Sequence, residues 1–273
     1  MISNLLLVMG VAVLSAAMRS FRQPLLFRIG TLGVVITSFL AGWLLGGSVF
    51  LGLVLSVSWL FLPWLEILTR VRRLRLPIER TLEPRTPPNR HTFPGFDELT
   101  DEIEEQGFEH VEDIGWHHED TRHFYRVFHE PGRQIQASIC LAEQQDLAFY
   151  YLTVTTHMAD GRIFMTWNYP FSYGLQLQPQ IVMRRFEGGQ RPFSEMLAAH
   201  EDLLQSHHLE NAPRLDQSPE EIIDTMQSEM KAQITHNISV GLLERDGEHF
   251  IRYTTRGMFY LWFQFLRDLV RLS

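Results

Sequence analysis

The sequence predicts a membrane-anchored α+β protein. Three N-terminal transmembrane helices, two of them a tight helical hairpin, precede one antiparallel-sheet domain packed with amphipathic helices. Three observations predict it. Within the 273-residue chain, residues 25–65 carry a single charge, Arg28. Residues 1–76 hold seven arginines against one acid, Glu66, a local charge of +6, whereas the remainder holds 17 basic and 31 acidic residues, or −14 within the overall −8. Beyond residue 95 the apolar pattern switches to short alternating runs, broken by turn residues and interleaved with helical periods.

From Leu5 to Met18 the only polar side chain is Ser15. With Ile2, the apolar stretch reaches about 17 residues, the short limit for crossing ~30 Å of hydrocarbon. Leu25–Leu65 is too long for one crossing and fits two at ~1.5 Å per residue. Gly46, Gly47 and Ser48 stand where a tight connection must lie. The region 1–76 is therefore expected to hold spans near 2–18, 25–45 and 49–68.

The arginines orient these spans, because loop positives are retained on the cytoplasmic side. Arg19, Arg22 and Arg28 separate the first and second spans, and Arg70, Arg72, Arg73 and Arg75 follow the third. Two spans lie between the clusters, so both face one side of the membrane. The expectation is a multi-pass protein of the inner (plasma) membrane with its N-terminus outside and residues 95–273 forming a cytoplasmic domain. A cleaved signal peptide is the alternative for residues 1–18, with Ser15-Ala16-Ala17 as its small-residue site. It lacks a basic n-region, and cleavage would leave both clusters on the same side.

Residues 77–94 contain five of the 13 prolines and continue the basic track through Arg80, Arg85 and Arg90. Proline removes an amide donor and biases its predecessor toward extended geometry, so this stretch reads as a semi-rigid basic linker rather than a packed element. Its arginines serve as a topology signal or add attraction to an anionic leaflet.

In the domain, Phe96, Leu99 and Ile103 predict a helix whose acids are solvated, closed by Gly107. Strands follow at Phe124–His129, Gln134–Leu141, Leu147–Thr156 and Arg162–Asn168 around turns at Glu130–Arg133 and His157–Gly161, which makes an antiparallel meander. Ile135, Ala137, Ile139 and Leu141 alternate with Gln134, Gln136, Ser138 and Cys140, as in a half-buried strand. A strand near Ile181–Phe186 and a hairpin around Arg245–Glu248 extend the set. Phe193–His208 is amphipathic. Ser218-Pro219-Glu220-Glu221 offers a capping box and opens a helix through about Ile238. In the last helix, Gly257–Leu272, the residues Gln264, Arg267, Asp268 and Arg271 make a narrow polar strip in an otherwise apolar surface. It covers the sheet as a core helix, or it lies on the cytoplasmic leaflet with Trp262, Phe263, Arg267 and Arg271 at the interface.

The acidic domain argues against nucleic-acid binding. One cysteine, Cys140, excludes a disulfide framework and suits a reducing compartment. All 12 histidines follow residue 90. His200 and His207, seven apart on one helix face, both point inward on the helical wheel, and a third ligand from the sheet, His157, would complete a metal set. The HExxH pattern is missing, so core histidines bonded to backbone are the competing reading, and no cofactor is expected. His117, His118, Glu119, Asp120 and His123 read as a hydrated loop between strands. Cys140, on the polar face of its strand, is accessible enough to be considered as a nucleophile. Gly188-Gly189 before the helix at Phe193 is a weak phosphate signal. Trp167, Tyr169, Phe171 and Tyr173 form either a core edge or a partner-binding lip. Asn237-Ile238-Ser239 is a glycosylation acceptor only outside the cytoplasm.

The leading expectation is a non-catalytic scaffold or accessory subunit that holds a partner-binding domain at the membrane surface, with the lipid bilayer and another membrane or cytoplasmic protein as partners. The alternative is a membrane-bound enzyme, metal-dependent through His200, His207 and His157, acting on a lipid-linked or membrane-proximal substrate.

Overall fold

A computed structural model of the chain describes residues 2–21, 23–88, 93–119, 121–144, 147–187 and 191–272. Contacts divide them into two units. The first comprises residues up to Leu74, Ser172–Gly174 and residues from Tyr253 onward; the second comprises Arg75–Phe171 and Leu175–Arg252.

The first unit opens with α1 (Ile2–Ser20), α2 (Pro24–Leu40), α3 (Val49–Ser58) and α4 (Leu62–Thr69). A π turn at Ala41–Leu45 prolongs α2, and a 3₁₀ turn at Trp59–Phe61 joins α3 to α4. Three helices, Ile2–Ser20, Leu25–Leu45 and Val49–Arg73, are thus long and apolar enough to cross a membrane. They fall on the stretches the hydropathy picks out, the third running on to Arg73. Large apolar side chains such as Leu6, Phe50 and Leu65 point outward. Where the helices approach most closely, the positions are small. A Cβ placed on Gly42 would meet the Gly52 Cα at 2.5 Å, and one on Gly33 would meet the Ser15 Oγ at 2.2 Å. Close backbone approach is the means by which helices associate without a hydrophobic driving force. The expected hairpin is present: Gly47 takes φ +69°, and the Leu51 amide donates to the Ser48 Oγ at 3.4 Å.

The second unit is built on two sheets. β1 (Leu76–Pro77) and β2 (Glu83–Pro84) come from the proline-rich stretch. Then follow α5 (Phe96–Glu104), β3 (Glu109–His118), β4 (Thr121–Glu130), β5 (Ile135–Gln144), β6 (Leu147–His157), β7 (Ile163–Trp167) and β8 (Ile181–Arg185). After these come α6 (Phe193–Ser206), α7 (Pro219–Ser239), β9 (Leu243–Asp246) and β10 (Phe250–Tyr253). The larger sheet has the order β2-β3-β4-β5-β6-β7-β8, antiparallel throughout except for the parallel β7–β8 pair, and the smaller one the order β1-β10-β9.

One core cluster joins Phe124, Phe128, Ile139, Leu141 and Val154 of the sheet to Phe96 of α5 and Phe193, Met196 and Leu197 of α6. A second sets Ile114 and Val127 against Ile222 of α7. Both faces of the central strands are therefore covered. This corrects the half-buried reading of β5: Gln136, Ser138, Cys140 and Ala142 are buried along with the apolar set.

Strand β3 is absent from the sequence-level expectation, and it takes in His117 and His118, which were read as loop. Its register shifts between His110 and Glu112, so Val111 is an extra, bulged residue. A bulge resets the two-residue period and brings Val111 to the face of Ile114 and Trp116, which hides the alternation.

The proline-rich stretch is stitched into the fold rather than left as a spacer. Pro77 and Pro84 occupy edge strands, where a missing donor costs no ladder bond. Between them Gln227 of α7 accepts from the Leu82 amide at 2.7 Å and donates to the Arg80 carbonyl at 2.8 Å.

The last helix, α8 (Thr255–Leu272), belongs to the first unit. Trp64 of α4 meets Phe259 edge to face at 4.9 Å, and the Trp262 indole donates to the Leu60 carbonyl at 2.7 Å. Asp268 accepts from both the amide and the hydroxyl of Ser172, at 2.7 and 2.6 Å.

The Gly42–Gly52 crossing is testable. Gly42→Leu should lower the thermal midpoint of the detergent-solubilised protein, since overpacking costs about 1–3 kcal/mol. Gly10→Leu, where an added Cβ meets nothing within 4 Å, should leave it unchanged. Equal midpoints would contradict the close helix approach.

Candidate functional site

A cleft of about 550 Å³ in the second unit lies where the proline-rich stretch crosses the end of β3 and β4. Register builds it. Gly115 pairs with Glu83 on one side and Phe124 on the other, His117 pairs with Arg122, and Arg122 pairs with Glu143. A Cβ at Gly115 would strike the His123 carbonyl at 2.2 Å and the Arg85 Cγ at 3.2 Å, so glycine is what lets the Arg85 stem lie across the sheet. The Arg85 amide donates to the Asp113 carbonyl at 2.9 Å. Its guanidinium donates to Glu83 at 3.2 Å and to the His117 Nδ1 at 2.8 Å.

Trp116 stacks on His123 with ring centres 4.3 Å apart, and the Arg80 guanidinium lies 4.8 Å above the Trp116 ring. Burial, and then the charge of Arg80, push the His123 imidazole down to about 4. At neutral pH the cleft therefore presents half-exposed Arg85 and exposed Arg122 beside the neutral His123 imidazole, His117 and one acid, Glu143. Fixed forks of N–H donors suit carboxylate and phosphate groups.

Sequence reasoning missed this cleft because it read the arginines of residues 77–94 as a topology signal and His117–His123 as loop. Gly115 within an otherwise bulky run, at a distance in sequence from the prolines, was the available clue. Arg22, Arg90, Asp120 and Gly188-Gly189 lie outside the described residues, as do the side chains of Arg28 and Arg271.

The three histidines of the metal reading do not come together. His200 is fully buried, with the Thr156 hydroxyl 2.9 Å from Nε2 and the Thr166 hydroxyl 3.0 Å from Nδ1. One nitrogen donates and the other accepts, so the neutral ring is satisfied. Burial, then the charges of Arg214 and Arg184, push it down to about 3. His157 follows Thr156 along β6 and therefore faces the other side of the sheet. There its Nε2 meets the Glu229 carboxylate of α7 at 2.7 Å. His207 is exposed rather than inward, because α6 ends at Ser206 and the helical wheel no longer applies. Among the described residues no group of three or more His, Cys, Asp or Glu is placed to hold a metal ion.

Cys140 is buried, and burial pushes its thiol up to about 12, so the accessible-nucleophile reading is overturned. The aromatic run divides: Trp167 is buried, and Tyr169 stacks on it at 5.0 Å, while Phe171 is exposed. Arg185 holds the run's backbone, donating to the Tyr169 carbonyl at 2.8 Å and to the Phe171 carbonyl.

The depressed histidines set a pH dependence. An unfolded imidazole takes a proton near 6.5, whereas folded His123 and His200 resist it to about 4 and about 3. Between these values the unfolded state binds more protons, so stability falls as pH drops below 6.5, by about 1.4 kcal/mol per pH unit for each group. Chemical denaturation at stepped pH should show a shallower acid loss in His200→Gln than in the wild type; identical slopes would mean that His200 is not held neutral.

Comparison of the chain with protein-family models, with curated proteins and with solved structures finds no match.

Proposed function

We propose that the protein is a multi-pass membrane protein whose second unit, on the cytoplasmic side, docks an acidic segment of a partner protein, serving as a scaffold or accessory subunit. The carrying observation is the cleft lined by both Arg85 and Arg122, with the Arg85 stem laid over Gly115. The three apolar helices supply the anchor, by length and composition. Arginines on both sides of the second and third helices, at 19, 22 and 28 and at 70, 72, 73 and 75, support the orientation through the positive-inside bias. Anchoring confines the cleft to a surface and raises its effective concentration for a partner in or near the bilayer. The enzyme reading loses its working groups, since the sheet itself separates His157 from His200.

A photo-crosslinking residue at position 122 of the full-length protein in its native membrane should capture a partner, and Arg85→Glu should abolish capture. An interface resting on half-exposed Arg85 and exposed Arg122 is also weakened by salt. Capture that is insensitive to both would refute the acidic-segment reading. For the orientation, a reporter enzyme active only outside the inner bilayer, fused to the C-terminus, should stay silent; activity would reverse the topology.

A further inference from the structure

Helix α8 is inverted relative to a helix that faces water. Its buried positions include Gly257, Leu261, Gln264 and Asp268, while Arg256, Phe259, Phe263 and Arg267 are exposed. At ~100° per residue the exposed four fall within about 80° of arc, a single stripe with two phenylalanines between two arginines. Phe259 and Phe263 are 53 and 55% exposed. Among the described residues outside 2–74, only Phe171 and Leu215 are the other large apolar side chains so exposed. Buried polar groups opposite exposed aromatics are the informative kind of exception, and a contiguous apolar stripe marks a binding face.

The occupant follows from what lies alongside. Phe61 and Trp64 border Trp262, with ring centres 6.3 Å away in each case, and Phe259 touches Trp64, so the stripe continues the outward apolar surface of the third long helix through exposed Phe61 and Leu65. At this level Pro63 and the 3₁₀ turn interrupt the helical ladder, and the Trp262 indole supplies the donor for Leu60. In hydrocarbon an interrupted ladder persists only where a neighbour re-satisfies the backbone. Trp64 precedes Arg70 by six residues, about 9 Å along a helix axis. That is within the ~5–10 Å to which interfacial helices sink.

We propose that the Arg256–Phe259–Phe263–Arg267 stripe is a lipid-binding face: the two rings enter the upper acyl layer beside the third span, and the two guanidiniums snorkel to phospholipid phosphates. Resting on the reading that residues 2–73 span a membrane, it adds a fourth membrane contact, made by α8. Trp262 is not a lipid anchor in this arrangement but the bolt that fixes α8 to α4.

Full-length protein in vesicles of equal parts phosphatidylcholine and phosphatidylglycerol tests it. A polarity-sensitive fluorophore is attached in turn to Phe263→Cys, to Leu55→Cys within the third span and to Asp202→Cys on α6; buried Cys140 stays unlabelled in folded protein, which checks each variant. Expected are quenching of the 263 probe by lipids brominated near the head group, quenching of the 55 probe by deeply brominated chains, and none at 202. An unquenched 263 probe beside a quenched 55 probe overturns the stripe while leaving the spans intact. If neither is quenched, the membrane reading fails and takes this proposal with it. Combined Arg256→Glu and Arg267→Glu substitutions should reduce quenching at 263; unchanged quenching would remove the arginines from the proposal.

Discussion

Every backbone amide and carbonyl withdrawn from water must find a partner, and in this chain side chains meet much of that demand. An unpaired buried donor or acceptor costs about 1–3 kcal/mol in a protein interior and more in hydrocarbon. Irregular segments here are long, so the demand is heavy. Gln227 satisfies both polar groups of the stretch beside β2; Asn237 accepts from the Gln176 amide at 2.8 Å and donates to the Gln176 and Gln233 carbonyls at 2.9 and 2.8 Å. The Leu152 amide donates to the Asn168 side chain at 2.6 Å, and Gln233 donates to the Gln176 carbonyl at 2.6 Å. Asp268 does the same for Ser172, and Trp262 for Leu60. Apart from the Asn237–Gln233 bond within α7, each ties together segments distant in sequence, and most serve backbone groups outside the regular ladders. Except for the Asp268 carboxylate, these groups are amides and an indole, which form hydrogen bonds without carrying a charge to desolvate.

The same demand explains what the sequence could and could not reveal. Features whose signal is local were legible. The apolar helices follow from hydropathy, the connection at Gly46–Ser48 from the small residues where the long apolar run must turn, and α7 from a capping box that forms as written: the Glu221 amide donates to Ser218 at 3.3 Å and the Ser218 amide to Glu221 at 2.7 Å. Strands β4 to β7 follow from alternation and turn composition. Features set by a distant partner were hidden. One inserted residue at Val111 broke the period of β3. The polar residues of β5 looked solvated because nothing local announces that this face of the sheet is covered as well. Pro77 and Pro84 read as spacer, although edge strands accept proline wherever no donor is wanted.

Helix α8 shows how a sound wheel can mislead. Gln264, Arg267 and Asp268 do cluster on one side, as the spacing requires, but α8 does not turn that side uniformly to solvent. Gln264 and Asp268 are drawn inward, Asp268 by the two donors of Ser172. Arg267 stays out and donates back to Gln264 at 3.3 Å. Amphipathicity identifies two faces; which polar groups can be buried depends on what each can bond to, and the two donors of Ser172 make it possible to bury the Asp268 carboxylate. The candidate cleft obeys similar logic. Arg80, Arg85 and Arg122 are unremarkable as isolated charges, and only the β2–β3 pairing and the missing Cβ of Gly115 bring Arg85 over the sheet.

The glycosylation acceptor illustrates a last consequence. A sequon reports its compartment only if the chain can present the asparagine to solvent. Asn237 is fully buried within α7, its oxygen and both amide hydrogens committed to residues 176 and 233. Modification would require unfolding of α7 at that point and the loss of three bonds to backbone groups, so the site is silent on either side of a membrane. Its silence therefore carries no weight for orientation, and the arginine asymmetry bears that argument alone. The physics runs in the arginines' favour: their bias acts during insertion, before any domain has folded, and cannot be masked afterwards by packing.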